Sequence, residues 1–297
     1  MRYVLTLVAG DGAARDLVGA AADALTAAGA TVGAVDWLDS LRAWDLPFDG
    51  LDPHRAEERA RATFPGLPVD LAAQQAAGRR KRLLVADMES TVIRNEMLED
   101  LAERVGRRAE VEEITTRAMN GELDFRAALD ERVALLAGLD AGVLEECLES
   151  IRIDTGARRL VSTLAAHGVH TALVSGGFTV FADWVRDRVG FAESHANRLG
   201  IDDGRLTGRV EEPLLDRDAK LRLLEQLCAR LGLSVADAVT VGDGANDLAM
   251  LERAGLGVAY HAKPTVAAAA RWRIDHGDLS TLLYFQGYRA ADLHAAG

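Results

Sequence analysis

Apolar residues open the chain in a run, RYVLTLV at 2–8, and then recur at helical spacing through AARDLVGAAADALTAA at 13–28. A second short stretch, TVGAVDW at 31–37, follows. The first forty residues therefore read as strand, helix, strand, a small βαβ unit. Four of the six prolines, Pro47, Pro53, Pro65 and Pro68, fall between 47 and 68 and predict an interruption of regular structure there. The segment AAQQAAGRRKR at 72–82 reads as a linker. Its run Arg79-Arg80-Lys81-Arg82 reads as a solvated face between domains.

From 83 the pattern changes. LLVA at 83–86 is a short apolar run ending at Asp87, as expected of a buried parallel strand. Residues 96–150 read as wholly helical, with amphipathic segments EMLEDLAERVG, VEEITTRAMNG, FRAALDERVALLAGL and AGVLEECLESI. VHTALV (169–174) reads as a strand, followed by a helix from about 178. A hairpin is predicted over 191–211, turning at Asp202-Asp203-Gly204. Then come a helix at 217–232, the strand AVTVGD (238–243), a helix at 246–254, the strand GLGVAY (255–260), and a last helix and strand. Short apolar strands alternating with helices predict an α/β fold with a doubly wound parallel sheet. The helical block at about 96–150 lies between its first and second strands as an inserted cap. The expected division is 1–75 for a small α+β domain and 76–297 for the sheet and cap.

Composition narrows the function. A length of 297 residues fits two domains, and a hydrophobic fraction of 49% is enough to give each a core. With 34 basic and 46 acidic residues the net charge is −12, which argues against nucleic acid as a partner and for small ligands at a local site. Cys147 and Cys228 have no metal-site spacing and read as buried inert thiols. No apolar run reaches the roughly 18 residues of a membrane span, and the start lacks a cleavage signal, so a cytoplasmic location and no membrane partner are expected. Only three of the basic residues are lysines, Lys81, Lys220 and Lys263. In a chain that favours Arg, a lysine marks a place where a compact ammonium suits better than a planar fork.

Ligands of open α/β sheets sit at the carboxyl ends of the strands. The first such end is Asp87-Met88-Glu89-Ser90-Thr91. Positions 87 and 89 point the same way in extended chain, so two carboxylates can divide the work of nucleophile and acid/base. A loop carboxylate capping the next helix is the bland alternative. The second end, Ser175-Gly176-Gly177, offers a hydroxyl and bare N–H groups for an anion, or simply a turn needing glycine. Lys220 stands near a helix start. The last end, Gly242-Asp243-Gly244-Ala245-Asn246-Asp247, carries two carboxylates four apart, which suit a hard cation such as Mg²⁺. The set Asp, Ser, Lys, Asp supplies what phosphoryl transfer needs: a nucleophile, donors for the equatorial oxygens, and positive charge beside both.

This set resembles the motifs of the haloacid dehalogenase superfamily, and more closely those of its bacterial phosphoserine phosphatases. The stretches that carry the likeness are ADMESTVI, EITTRAMNGELDF, ALVSGGFT, VGDGANDLAM and GLGVAYHAKP, spread from about 82 to 280. The resemblance implies Mg²⁺-dependent hydrolysis of O-phospho-L-serine, the last step of serine synthesis. It implies Asp87 as the nucleophile that becomes an aspartyl-phosphate and Glu89 as the acid/base. Ser175 and Gly176 would hold the phosphate, Lys220 would balance its charge, and Asn246 would lie near it. The metal would take the side chains of Asp87 and Asp243 and the main-chain carbonyl of Glu89, with Asp247 orienting from behind. Glu96 would receive the substrate ammonium and Arg132 its carboxylate, with Met119 and Phe125 closing the pocket. The N-terminal part resembles small ACT-like domains, which implies ligand binding or pairing with a second copy of the chain. One departure stands out: the family pattern is DMDST and this chain has DMEST. Glu89 leaves two alternatives open, a phosphatase or phosphotransferase for another small phosphomonoester, or a non-catalytic phosphoserine-binding regulator.

Overall fold

The computed structural model describes residues 1–10, 14–119, 122–215 and 218–294, without the Met119 side chain. Two sheets organise them. The first contains β1 (Tyr3–Ala9), β2 (Thr31–Val32), β3 (Asp36–Asp39), β4 (Ala43–Asp49) and β5 (Val69–Gln75). Its order is β2-β4-β1-β5 with β3 also on β4, and every pairing is antiparallel. Helices α1 (Ala14–Ala27) and α2 (Pro53–Thr63) complete a βαββαβ-type unit. They cover one sheet face, where Ala21, Leu25, Ala56 and Ala60 pack with Leu5, Leu7, Trp44 and Phe48. The second half of this unit, expected to be interrupted by prolines, is regular. Pro47 lies within β4, and Pro53 opens α2, where the missing N–H costs no hydrogen bond. Only Pro65 and Pro68 occupy a turn.

Residues 72–75, expected in a linker, belong to β5, which pairs antiparallel with β1 along its whole length at the sheet edge. The basic run is a solvated face only in part: Arg80 and Arg82 are exposed, whereas Arg79 and Lys81 are packed in. Arg79 pairs with Asp45, and Arg80 pairs with Asp292 at 2.8 Å and lies over the Tyr288 ring. The buried Lys81 ammonium donates to the carbonyls of Gly78 (3.1 Å) and Ala236 (2.9 Å). The compact ammonium fits between two carbonyls where an Arg fork would not.

The second sheet contains β6 (Leu83–Ala86), β7 (His170–Phe178), β8 (Glu193–Asp202), β9 (Arg205–Glu211), β10 (Ala238–Gly242), β11 (Leu256–Tyr260) and β12 (Trp272–Ile274). The order is β12-β11-β10-β6-β7-β8-β9. All neighbours are parallel except β9, which forms a hairpin with β8. Along β6, Leu84 and Ala86 enter one core and Leu83 and Val85 the other. Helices α9 (Ala219–Leu231), α10 (Leu248–Arg253) and α11 (Pro264–Ala269) cover the second face. Helices α7 (Ala157–Ala166), α8 (Thr179–Val189) and α12 (Thr281–Phe285) cover the first. The sheet is therefore doubly wound, as the alternation of strands and helices predicts. Chain connections diverge on either side of β6, which puts the crevice at the carboxyl ends of β6 and β10.

Four helices, α3 (Met97–Arg104), α4 (Arg108–Met119), α5 (Phe125–Ala134) and α6 (Gly142–Leu148), form the inserted block. The chain leaves and returns through a two-stranded neck in which Ile93 bridges to Ile153. Both cysteines are free and buried.

Candidate active site

The chain leaves β6 in extended form at Asp87 (φ −66°, ψ 158°) and remains extended at Glu89 (φ −71°, ψ 139°). Ser90 then takes a left-handed φ of 53° and turns the chain towards the cap. Asp87 and Glu89 consequently line the same cavity, of about 170 Å³. Gly176 and Gly177 from β7, Asp243 and Asn246 from beyond β10, and Glu96, Phe125 and Arg132 from the cap share its wall. Of the expected pocket residues, Ser175, Lys220 and Asp247 lie buried just behind this wall. Met119 ends α4, and its side chain lies outside the described residues.

Lys220 is the second residue of α9, and its ammonium donates to Asp87 Oδ1 and Asp247 Oδ1, both at 2.6 Å. Burial works against its charge, but the two carboxylates more than offset this and hold its pKa above the ordinary value. Asp87, Asp243 and Asp247 place one carboxylate oxygen each within 4.8 Å of one another. Asp247, expected to act from behind the metal, joins this cluster from its buried place behind the cavity wall. A carbon on Gly242 would lie 2.3 Å from Asp247 Cγ, so only glycine lets that carboxylate fold back onto the strand end.

Three buried carboxylates against Lys220, with Lys263 near Asp243, leave negative charge in excess. Burial, and then repulsion from Asp247, push Asp87 well up and Asp243 up to about 6. Hard oxygen donors with surplus negative charge are what Mg²⁺ binds, so the residues present fit that ion. It would be held by Asp87 and Asp243, with Asp247 beside them.

The Glu89 carboxyl is anchored rather than adrift. Its Oε1 accepts the Met97 N–H at the start of α3 (2.9 Å), and its Oε2 lies 3.5 Å from Ser175 Oγ. Burial pushes its pKa up, Glu96 adds to this, and the value reaches about 7. Of the two readings of the β7 glycine pair, an anion cradle or a turn, the turn is not what the structure has. The pair lies inside the strand, which runs on to Phe178, and neither glycine has positive φ. The reason for Gly177 is a close approach. A carbon there would lie 2.9 Å from Glu89 Oε2 and 3.1 Å from Ser175 Oγ, which itself accepts the Gly177 N–H at 2.9 Å.

On the cap side, Ser90 Oγ donates to Glu96 Oε1 at 2.7 Å. Arg132 of α5 faces Glu89, Glu96 and Glu99, and its Nε donates to Ala128 O at 3.1 Å. The Phe125 ring approaches Gly176 across the cavity. The wall also holds Leu98, Glu99, Leu129, Phe178 and Lys263, which sequence reasoning did not assign. For Lys263 a signal existed in the scarcity of lysine. For the others the spacing carries none, since they are ordinary apolar or acidic positions until the cap is folded over the sheet.

Comparison with known proteins agrees with this geometry. Residues 84–252 match the family described as haloacid dehalogenase-like hydrolase. A phosphoserine phosphatase of Streptomyces coelicolor is 43% identical over 82% of this chain and 60% of its own length. The match therefore spans less than two thirds of that relative. One of Polaromonas is 42% identical over 74% of this chain and 95% of the relative. A solved HAD family hydrolase from Salmonella enterica serovar Typhi superposes with a TM-score of 0.85, covering 96% of this chain and 99% of that one. Its identity of 24% speaks for the fold alone. By fold, motif order and these matches, the chain belongs to the haloacid dehalogenase-like hydrolases, in the group of the phosphoserine phosphatases.

Proposed function

We propose that the chain hydrolyses O-phospho-L-serine to L-serine and phosphate. The observation that carries this is the meeting of two charge patterns in one cavity of about 170 Å³. The sheet supplies two carboxylates side by side, Asp87 and Glu89, with Lys220 behind. The cap supplies Glu96 and Arg132, a charge pair matched to the ammonium and carboxylate of an amino acid.

Asp87 attacks phosphorus and the bond to the serine oxygen breaks. Glu89, with a pKa near 7, gives its proton to the departing alkoxide. It then takes a proton from the water that attacks the aspartyl-phosphate, and Asp87 is released. Lys220 offsets the repulsion between the Asp87 carboxylate and the incoming phosphate dianion. The Gly176-Gly177 main chain lines the wall where the phosphate would lie, and Asn246 lines the same cavity. Asp87 and Asp243, with the Glu89 main-chain carbonyl, would hold Mg²⁺, which would neutralise charge at the phosphate when bound. The βαββαβ unit is the natural seat for an effector or a second copy of the chain.

Phosphate release from O-phospho-L-serine with Mg²⁺ tests this reading. Release by the parent chain and its loss in Asp87→Asn, by about 10³-fold or more, is expected of a missing nucleophile. A parent chain that binds phosphoserine without releasing phosphate would overturn the hydrolase reading and leave the regulator.

A further inference from the structure

One loop joins the N-terminal sheet to the neck of the cap. Asp70 on β5 is only 1% exposed. Its Oδ1 accepts the N–H groups of Asp275 (2.7 Å) and His276 (3.2 Å), and its Oδ2 that of Gly277 (2.7 Å). There is no slack at this clamp. A carbon on Gly277 would lie 2.9 Å from Asp70 Oδ2 and 2.3 Å from Thr281 Oγ1.

Two residues on, the same loop grips the neck. The Leu279 N–H donates to Thr155 O at 3.2 Å. Asp278 and Ser280 press on Gly156, where an added carbon would lie 2.7 Å from both Asp278 Oδ1 and the Ser280 nitrogen. Thr155 and Gly156 directly follow the point where the cap returns to the sheet. There Asp154 N–H donates to Val92 O (2.8 Å) and Arg94 N–H to Arg152 O (2.9 Å). The Arg94 side chain reaches Asp154 (3.1 Å) and Thr155 (3.0 Å), and Tyr260 donates to Asp154 at 2.5 Å. A neck made of so few hydrogen bonds is set by what holds its ends.

We propose that Asp70 is a positioning residue for the cap. By fixing the 275–280 loop against the neck, it sets how Glu96 and Arg132 meet the amino-acid half of the substrate. This rests on the phosphatase reading above for its substrate, though not for its geometry. Acetate leaves acetyl phosphate without a proton from Glu89, so kcat/KM for that substrate reports a step that needs Asp87 and Lys220 but neither Glu96 nor Arg132, and it is indifferent to the clamp, whereas the phosphoserine reaction is not.

The test compares two substrates, O-phospho-L-serine and acetyl phosphate, which lacks the ammonium and carboxylate the cap would hold. Asp70→Ala leaves three N–H groups without their acceptor. It is expected to raise KM for phosphoserine and lower kcat/KM roughly 2- to 30-fold, the usual size of such coupling. Acetyl phosphate kcat/KM stays within about twofold of the parent on the same argument. Gly277→Ala, which crowds the clamp from the other side, reproduces the pattern, and Asp70→Asn, which keeps one acceptor, recovers part of the loss. Tyr284→Phe removes a different contact, the 2.9 Å bond from α12 to Asp39 of the N-terminal sheet, and leaves the ratio of substrates unchanged.

Hydrogen exchange of peptides covering 92–95 and 152–156, measured without substrate, quickens in Asp70→Ala and Gly277→Ala. Equal losses on both substrates, or unchanged exchange at the neck, would overturn the proposal. If the parent chain does not turn over phosphoserine, the phosphatase reading fails by itself, and the exchange experiment still decides the role of Asp70.

Discussion

At the residue scale the decisive position is Glu89, to which the proposed mechanism gives the acid/base role with a side chain one methylene longer than Asp. Its added length is taken up by the Met97 N–H at the start of α3, while Gly177 leaves its other oxygen room. The site is built around glutamate. Glu89→Asp would withdraw the carboxyl from that anchor, and a displacement near 1 Å costs about 10²-fold in a positioned reaction. Steady-state kinetics on phosphoserine should therefore show kcat falling by about one to two orders of magnitude. An Asp variant faster than the parent would show that Glu89 is a handicap the site merely tolerates. The identity of Glu89 was legible in the sequence, and so was its departure from pattern. Its anchor was not, because residues 89 and 97 meet only when Ser90 turns the chain through a left-handed φ of 53°.

At the scale of elements, hydrophobic period and turn chemistry carried most of the fold. The hairpin of β8 and β9 is announced by Asp203-Gly204, both at positive φ (44° and 72°), as a two-residue primed turn demands. The cap helices are announced by amphipathic spacing, though not their packing over the crevice. Helix α5 presents both Phe125 and Arg132 to the cavity and is held at its start by Asp124, whose Oδ1 accepts the Ala127 N–H at 2.7 Å. Losing such a cap costs about 1 kcal/mol. Asp124→Ala should accordingly speed hydrogen exchange within 125–134 and raise KM for phosphoserine, with little change in kcat. Unchanged exchange there would mean that packing against the sheet, rather than the cap residue, holds this helix in place.

At the scale of the whole molecule, charge ties strand to helix at the far side of the sheet. Glu193 on β8 meets His170 of β7, His195 at 2.9 Å, and Arg230 of α9. Burial pushes its carboxyl up, but the hydrogen bonds from His170, Arg230 and His195 outweigh this and hold it at about 2, below an ordinary value near 4.5. A carboxyl depressed on folding stabilises the fold above its unfolded pKa, and the contribution fades as pH falls through the interval down to the folded value. Glu193→Gln should thus melt below the parent at pH 7. The gap in Tm should narrow progressively between about pH 5 and pH 2. A gap that stays constant across this range would assign the loss to packing instead of charge.

By itself the sequence determined the alternation of strands and helices, the inserted helical block, and the chain order Asp87, Ser175, Lys220, Asp243 along the strands and a helix start. These follow from local period and from the rule that open sheets bind at the carboxyl ends of their strands. Tertiary structure alone decided the rest. It brought Asp247 into the cluster with Asp87 and Asp243, kept Gly176 and Gly177 within a strand, and made the 72–82 segment part strand, with Arg79 and Lys81 packed in. It also set Lys263 on the cavity wall and Asp70 against the loop behind the cap. Each of these depends on groups far apart in the chain approaching within a few ångströms, and no local pattern encodes that. Which glycine is required, which carboxylate is anchored and which lysine is buried are settled by the space that remains once sheet, cap and N-terminal unit have packed.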